Sequence, residues 1–326
     1  VPSSRILVTG GCGFIGSHVV KLLAGAGARV TVLDTMDAYA FDYAERFGVT
    51  AHAAEIVHGD AADAELVGGL VSRADAVVHA AACADVAATN REPARDFAAG
   101  VASLQTVLEA VRRAGVERLL FTSSAQVYGE ATPPSGVFAE PDAPGPPGSF
   151  YANSKYWGEQ QIRLYRELHG LRATVLRFFS VYGPGQVPKE GSHSWAVAAF
   201  AMRAVKGRPL VVHGDGSQVR DFVYVEDVAH AVVRALTTPA AEGQTMNVGT
   251  GTATSIARLA QLVAERVPGT AIERGPRPAG DPEGAAATVK LLERTLGWRP
   301  DTSLGAGLDR YLAWVRDNQD LVPSWV

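Results

Sequence analysis

Thr9-Gly-Gly-Cys-Gly-Phe-Ile-Gly-Ser-His18 is the stretch on which the reading of this chain turns. Arg5-Ile-Leu-Val-Thr9 leads into it with the character of a buried strand. Behind it, Phe14, Ile15, Val19, Val20, Leu22 and Leu23 recur at helical spacing. Glycines in this pattern, between a strand and a helix, predict a dinucleotide site. Gly10 allows a sharp turn, Gly13 lets backbone N–H groups approach a pyrophosphate, and Gly16 lets helix and strand pack closely. The start of the helix, with Phe14 and Ile15 in its first turn, directs unpaired amides and a positive dipole end toward phosphate.

Outward from this turn, Arg29-Val-Thr-Val-Leu33 reads as a second strand ended by Asp34. An acid at this distance from the glycines meets the adenosine ribose hydroxyls. It repels a 2′-phosphate, and no arginine follows at once, so NAD is expected rather than NADP. The plainer alternative is that Asp34 caps a loop. A third strand closes at His58-Gly-Asp60, followed by Ala61. A fourth runs Ala74-Asp-Ala-Val-Val-His79 into Ala80-Ala-Ala82, where small side chains let a flat cofactor lie against the backbone. Val116-Glu-Arg-Leu-Leu-Phe-Thr122 and Arg172-Ala-Thr-Val-Leu-Arg-Phe178 read as strands five and six, with long helices over 94–114 and 151–169 between strands. The alternation predicts an α/β fold: a doubly wound parallel Rossmann sheet with a smaller C-terminal α/β substrate-binding lobe. The expected division is 1–182 for the NAD-binding domain and 183–326 for the lobe, allowing some later chain to cross back to the sheet. The proline- and glycine-rich segment 132–149 reads as an exposed flap.

At 326 residues, 47% hydrophobic, the chain can bury a large core, and a net charge of −4 gives no reason to expect nucleic-acid or anionic-membrane partners. No apolar run approaches a membrane span and the first residues lack a signal peptide's apolar core. Val1-Pro-Ser-Ser4 reads as a processed start or an appended remnant. Cys12 and Cys83 make no disulfide framework and read as small packing residues. Eight histidines without paired ligand spacing predict no metal. These features point to a reducing cytoplasm.

The chemistry sits in two segments, Thr122-Ser-Ser-Ala-Gln-Val-Tyr-Gly129 and Tyr151-Ala-Asn-Ser-Lys155. A Tyr and a Lys four apart share a helix face. The ammonium there is expected to lower the phenol's pKa from about 10, with oxidised nicotinamide adding a second positive charge. A serine at the end of strand five can orient the same substrate oxygen. Together these groups suit alcohol–ketone interconversion beside a hydride acceptor. The alternative is two ordinary helix residues. Against it, the chain has only five lysines among its thirty basic residues, so an unselected cation here would more often be Arg.

Further motifs follow: Arg177-Phe-Phe-Ser-Val-Tyr-Gly-Pro184, Gly214-Asp-Gly216, Arg220-Asp-Phe-Val-Tyr-Val-Glu-Asp-Val228, Asn247-Val-Gly249, Arg277 with Gly280-Asp281, and Leu296-Gly-Trp298. With these motifs the chain resembles, over nearly its whole length, the extended short-chain dehydrogenases/reductases, in the NAD-dependent nucleotide-sugar epimerase/dehydratase branch that includes the UDP-sugar 4-epimerases. The resemblance implies that Ser124, Tyr151 and Lys155 are catalytic. Asp60 and Ala61 would meet the adenine, and Ala80, Ala81, Ala82, Ser123 and Phe178 would complete the cofactor site. Arg220 and Arg277 would hold the substrate diphosphate, with Gln126, Ser180 and Val212 on the substrate side. The implied partner is a nucleoside diphosphate sugar, a UDP-sugar first, and a homodimer through the two long helices.

The residues after Ser124 separate reactions within the branch. Members that eliminate water resemble one another in having Asp-Glu there, decarboxylating members in a Glu, and a 3,5-epimerising group in a Cys. Here they are Ala125 and Gln126, which cannot exchange protons at a carbon acid. Oxidation and re-reduction at one carbon remain, which makes a 4-epimerase the expectation. A 4-ketoreductase or dehydrogenase, or a dehydratase of the same family, stays as the alternative, and a non-catalytic dinucleotide-binding regulator is more remote because Tyr151 and Lys155 are both retained. Three residues depart from the family pattern: Ser180 and Gly100, each where relatives have Asn, and Val187, where hexuronate 4-epimerases have Arg. The last implies a neutral or modified hexose. His193 and Trp195 read equally as pocket or packing residues.

Overall fold

The computed structural model describes residues 3–38, 42–129, 132–133, 135–142, 144–190, 195–277 and 283–326. Side chains alternate across each strand of the main sheet, and the two faces bury different helices. Ile6, Val8, Val30, Val32 and Val78 pack against Val19, Val20 and Leu23 of helix Phe14–Gly25 and Val228 and Val232 of helix Val225–Thr237. On the opposite face, Leu7, Val77, Leu119 and Phe121 meet Val67, Leu104, Val107, Leu108 and Ile162 from helices Ala64–Val71, Ser103–Ala114 and Phe150–His169. At roughly 1.5–3 kcal/mol for each large apolar side chain buried, these two layers dominate the stability of the fold.

The sheet has seven strands, all paired in parallel, in the order Thr245–Val248, Ala173–Phe178, Arg118–Ser124, Ala76–His79, Arg5–Thr9, Arg29–Asp34, Glu55–His58. The order reverses direction between Arg5–Thr9 and Ala76–His79. That is the switch point outside whose carboxyl ends ligands bind in doubly wound folds. The fifth strand runs on to Ser124, two residues past its expected end, and so carries Ser123 and Ser124 to the sheet's edge.

Later chain returns to this sheet. Helix Val225–Thr237 covers one face and Thr245–Val248 forms its edge strand beside Ala173–Phe178. A second core, from Val197, Phe200, Met202, Leu210, Val212, Leu259, Val263, Leu308 and Tyr311, forms the smaller lobe. Strand Leu210–His213 pairs there with Ile272–Gly275. Within the flap, Val137–Phe138 pairs with Ala286–Ala287.

The helix expected over 94–114 is three pieces: Pro93–Asp96, a wide π turn Phe97–Ala102, and Ser103–Ala114. The wide turn lays Gly100 against Ser154, where an added Cβ would stand 2.8 Å from the Ser154 hydroxyl. Among the described residues, no helix is long and apolar enough to cross a membrane.

Candidate active site

A cleft of about 1210 Å³ runs along the carboxyl edge of the sheet and under the smaller lobe. One end is backbone. Gly10 takes φ +71°, a left-handed conformation, and a Cβ there would stand 2.6 Å from the Ala81 nitrogen. A Cβ on Gly16 would collide with the Gly10 carbonyl. Gly13, Phe14, Ile15, Asp34, Asp60, Ala61, Ala80, Ala81 and Ala82 line the same end. Asp34 serves two ends at once. Its carboxylate accepts from the backbone N–H of Cys12 and of Met36, both at 2.8 Å, so it braces the glycine turn and its own loop while lining the cleft. Burial raises its pKa. Asp60 accepts from the Ala62 N–H at 2.9 Å, closing the turn that carries it. Burial also pushes the Cys12 thiol up to about 12, which keeps it an inert packing group. This geometry suits a dinucleotide: glycines where side chains would block the pyrophosphate, and a carboxylate at the end of the second strand.

At the centre, Ser124, Tyr151 and Lys155 line one wall, with Ser123 and Phe178 beside them. Ser149 caps helix Phe150–His169 by accepting from the Ala152 N–H at 3.0 Å, and this fixes where Tyr151 and Lys155 begin their shared face. Tyr151 and Ser124 both line the cleft, and the Ser124 hydroxyl works against the rise in the Tyr151 pKa. The Lys155 ammonium donates to the Thr122 carbonyl at 2.7 Å and lies 5.7 Å from the centre of the Tyr151 ring. Burial acts on both members of the pair. Burial pushes Tyr151 up to about 12 and Lys155 down to about 8. Desolvation penalises both charged forms.

Beneath this wall is a brace that the sequence did not suggest. Arg177 and Glu159 form a buried ion pair at 2.7 Å, and Glu159 also accepts from the Ser123 hydroxyl at 2.5 Å. Ser123 thus faces the cleft with its hydroxyl turned to Glu159. Tyr128 donates to the Asn247 side chain at 2.7 Å and lies under the Arg177 guanidinium at 4.8 Å. Gln126 accepts from Ser149 at 3.2 Å, which holds its amide at the cleft wall.

The far end is made of side chains from separate segments. Ser180 and Arg220 line it, along with Gln186, Lys189, Trp195, Arg203 and His213. Asp221, almost wholly buried, accepts from the backbone of Thr250, Gly251 and Ala287 and from the Thr250 hydroxyl, and so fixes the segment that presents Arg220. Two expected residues fall elsewhere. Val212 is fully buried in the lobe core, because strand alternation turns its neighbours Val211 and His213 to the cleft instead. Arg277 pairs with Glu283 at 2.7 Å, beside Gly214, and does not line the cleft. Gly280, Asp281 and His193 lie outside the described residues. Trp195 lines the cleft and packs on the lobe core at once. Lys189, Arg203 and His213 were missed by the sequence reading because nothing local marks them; their place depends on how the lobe folds. Among the described residues, no group of three His, Cys, Asp or Glu is placed to share a metal ion.

Residues 6–249 match the model of the NAD dependent epimerase/dehydratase family. The UDP-glucose 4-epimerase of Mycolicibacterium smegmatis is 35% identical to this chain, covering 96% of it and 99% of that protein. Among solved structures, the UDP-glucose 4-epimerase of Thermotoga maritima, determined with UDP-glucose, aligns with a TM-score of 0.88 at 33% identity, over 97% of this chain and 99% of that one. The UDP-glucose 4-epimerase of Thermus thermophilus in complex with NAD aligns with a TM-score of 0.85 at 35% identity, over 96% and 99%.

Proposed function

The chain belongs to the NAD dependent epimerase/dehydratase family, and from that premise we propose that it is a nucleotide-sugar 4-epimerase acting on a UDP-hexose. The observation that carries this reading is the central wall: Ser124, Tyr151 and Lys155 face the cleft together, and the two residues after Ser124 are Ala125 and Gln126. Neither supplies the acid or base that elimination, decarboxylation or epimerisation at C3 or C5 would need.

The glycine turn with Asp34 and Asp60 would hold NAD, together with Ala61, Ala80, Ala81, Ala82 and Phe178. When bound, NAD supplies the acceptor and then the donor of hydride at sugar C4. The chain's own residues handle the proton. Ser124 holds the 4-hydroxyl oxygen and Tyr151 removes its proton as the carbon is oxidised. Lys155 stabilises the phenolate and can donate to ribose hydroxyls. Arg220 anchors the diphosphate, so the keto sugar can turn about that anchor and present its other face, after which Tyr151 returns the proton. Val187, where hexuronate 4-epimerases have Arg, packs in the core of the smaller lobe and does not line the cleft. We further propose a cytoplasmic homodimer, its seam formed by the helices that carry Phe97, Leu164 and Leu168, apolar side chains exposed on the single chain.

NMR of the purified protein with a panel of nucleotide hexoses in D₂O, without added NAD, tests the reading. A C4 epimer free of deuterium at every carbon is expected. A redox-changed sugar would make the protein a ketoreductase or dehydrogenase. Deuterium at C3, C5 or C6, or loss of water, would overturn the 4-epimerase assignment and move acid–base work to another lining residue, Cys83 first.

A further inference from the structure

Helix Ala196–Val205 turns one stripe to the cleft, Ala196, Ala199, Phe200 and Arg203, over a length of about 10 Å. Val211 lines the cleft from the strand that follows, and Trp325 joins them from a segment more than a hundred residues later. Two adjacent residues hold Arg203 and Trp325 at the same place. The Arg203 Nε donates to the Pro209 carbonyl at 2.7 Å. Next to Pro209, Arg208 donates to the carbonyls of Ser324 and Val326, one on either side of Trp325. Val322 and Val326 are buried in the core of the smaller lobe, so the segment is fixed at two points and the indole between them is left 39% exposed. Among the described residues that indole stacks on no other aromatic ring, and the terminal nitrogens of Arg203 meet no acceptor.

These features suit a flat ring with a carbonyl edge. Ala199 and Val211 supply small apolar surface, and Trp325 supplies an aromatic face. A guanidinium only donates hydrogen bonds, as does an indole N–H, so the ring edge they meet must carry an acceptor. We propose that this corner of the cleft takes the nucleobase of the substrate, with Trp325 packing against the ring and Arg203 donating to the carbonyl at position 4 of uracil. The proposal rests on the nucleotide-sugar reading above and names what selects the base. With the sugar at Tyr151 and the diphosphate on Arg220, the base is the part of the substrate left for this corner. Position 4 lies across the ring from the nitrogen that carries the ribose, so it is the edge presented to Arg203. Cytosine has the same size and shape, but its amino group at position 4 donates and cannot accept from a guanidinium. The corner is therefore expected to prefer uracil to cytosine, and to do so through Arg203. Trp325, whose contact is with the ring face, adds affinity without telling the two apart.

Calorimetric titration of the holoenzyme with UDP and with CDP tests the proposal. The native protein should bind UDP roughly 10- to 100-fold more tightly than CDP, the worth of one charge-assisted hydrogen bond. Arg203→Met should bring that ratio close to one by weakening UDP, while Arg203→Lys, which keeps a donor, should leave UDP ahead. Should Arg203→Met prove unstable, Arg203→Gln, whose amide can turn a donor or an acceptor to the ring, should also bind the two alike. Trp325→Ala should weaken UDP and CDP by the same factor, roughly tenfold, and Trp325→Phe should restore both. UDP should also quench tryptophan fluorescence, and the share of the quench that Trp325 provides should vanish in Trp325→Phe although UDP still binds. Neither nucleotide is turned over, so the titration reads the base corner even if the sugar reaction is other than 4-epimerisation, which the D₂O experiment decides by itself. Equal native affinity for UDP and CDP, an unchanged ratio in Arg203→Met, or native UDP affinity in Trp325→Ala would each overturn the proposal.

Discussion

At the glycine-rich end of the cleft the wall is main chain: the Gly10 turn, the first turn of helix Phe14–Gly25 and the run Ala80–Ala82. At the far end the wall is side chains, with Ser180, Lys189, Trp195, Arg203, His213 and Arg220 brought in from separate segments and two lobes. A backbone wall is specified by a few consecutive residues whose small size and dihedral freedom can be read locally. A side-chain wall is specified by the whole fold, since each member's direction depends on strand register and on the packing of its own lobe. Tyr151 and Lys155 stand where the two meet, on a helix whose start is fixed by Ser149.

The largest effect is expected at that seam. Tyr151→Phe should lower kcat about 10³-fold, in the range of a lost general base, while bound NAD and the melting temperature stay near native. Were turnover to survive with KM alone changed, Tyr151 would belong to the substrate half as a binding residue.

The two ends can then be broken separately. Gly10→Ala places a Cβ against the Ala81 backbone in a left-handed conformation. It should cost on the order of 1–3 kcal/mol from strain alone, and more from the collision. Calorimetry is expected to show a lower melting temperature, and denatured-protein extracts less retained NAD. Arg220→Met removes charge-assisted hydrogen bonds worth about 1.5–3 kcal/mol. It should raise KM for the nucleotide sugar by roughly 10- to 100-fold, with little change in kcat or NAD content. A Gly10 variant with intact cofactor, or an Arg220 variant that loses it, would show that the ends are not independent.

The same contrast explains what the sequence disclosed. The parallel sheet, its first six strands in chain order, and the residues at the glycine end were legible because strand periodicity and glycine spacing are local signals. Asp34 was legible only in part: its place at the strand end was visible, the two hydrogen bonds it accepts from the Cys12 and Met36 backbone N–H groups were not. Val212 was misplaced by one residue of strand alternation, a slip that exchanges the cleft for the core. The Glu159–Arg177 pair left no mark in the sequence because its members lie on different elements and meet only when the catalytic helix docks on the sheet. Helix spacing shows that Tyr151 and Lys155 meet, and only packing shows how strongly burial acts on both.

Arg277 gives the finest test of the side-chain half. The family resemblance puts it on the substrate diphosphate; the structure pairs it with Glu283, with both side chains partly exposed. An ion pair of that kind is worth about 0–1 kcal/mol. If it is all that Arg277 provides, Arg277→Ala should change KM by no more than about fivefold and leave kcat alone, and Glu283→Gln should be nearly silent. If Arg277 instead reaches the diphosphate in the complex, it must first leave Glu283. Glu283→Gln would then lower KM by releasing it, while Arg277→Ala would raise KM at least tenfold. The opposite responses of the two variants separate an arginine held outside the cleft from one that enters it with substrate.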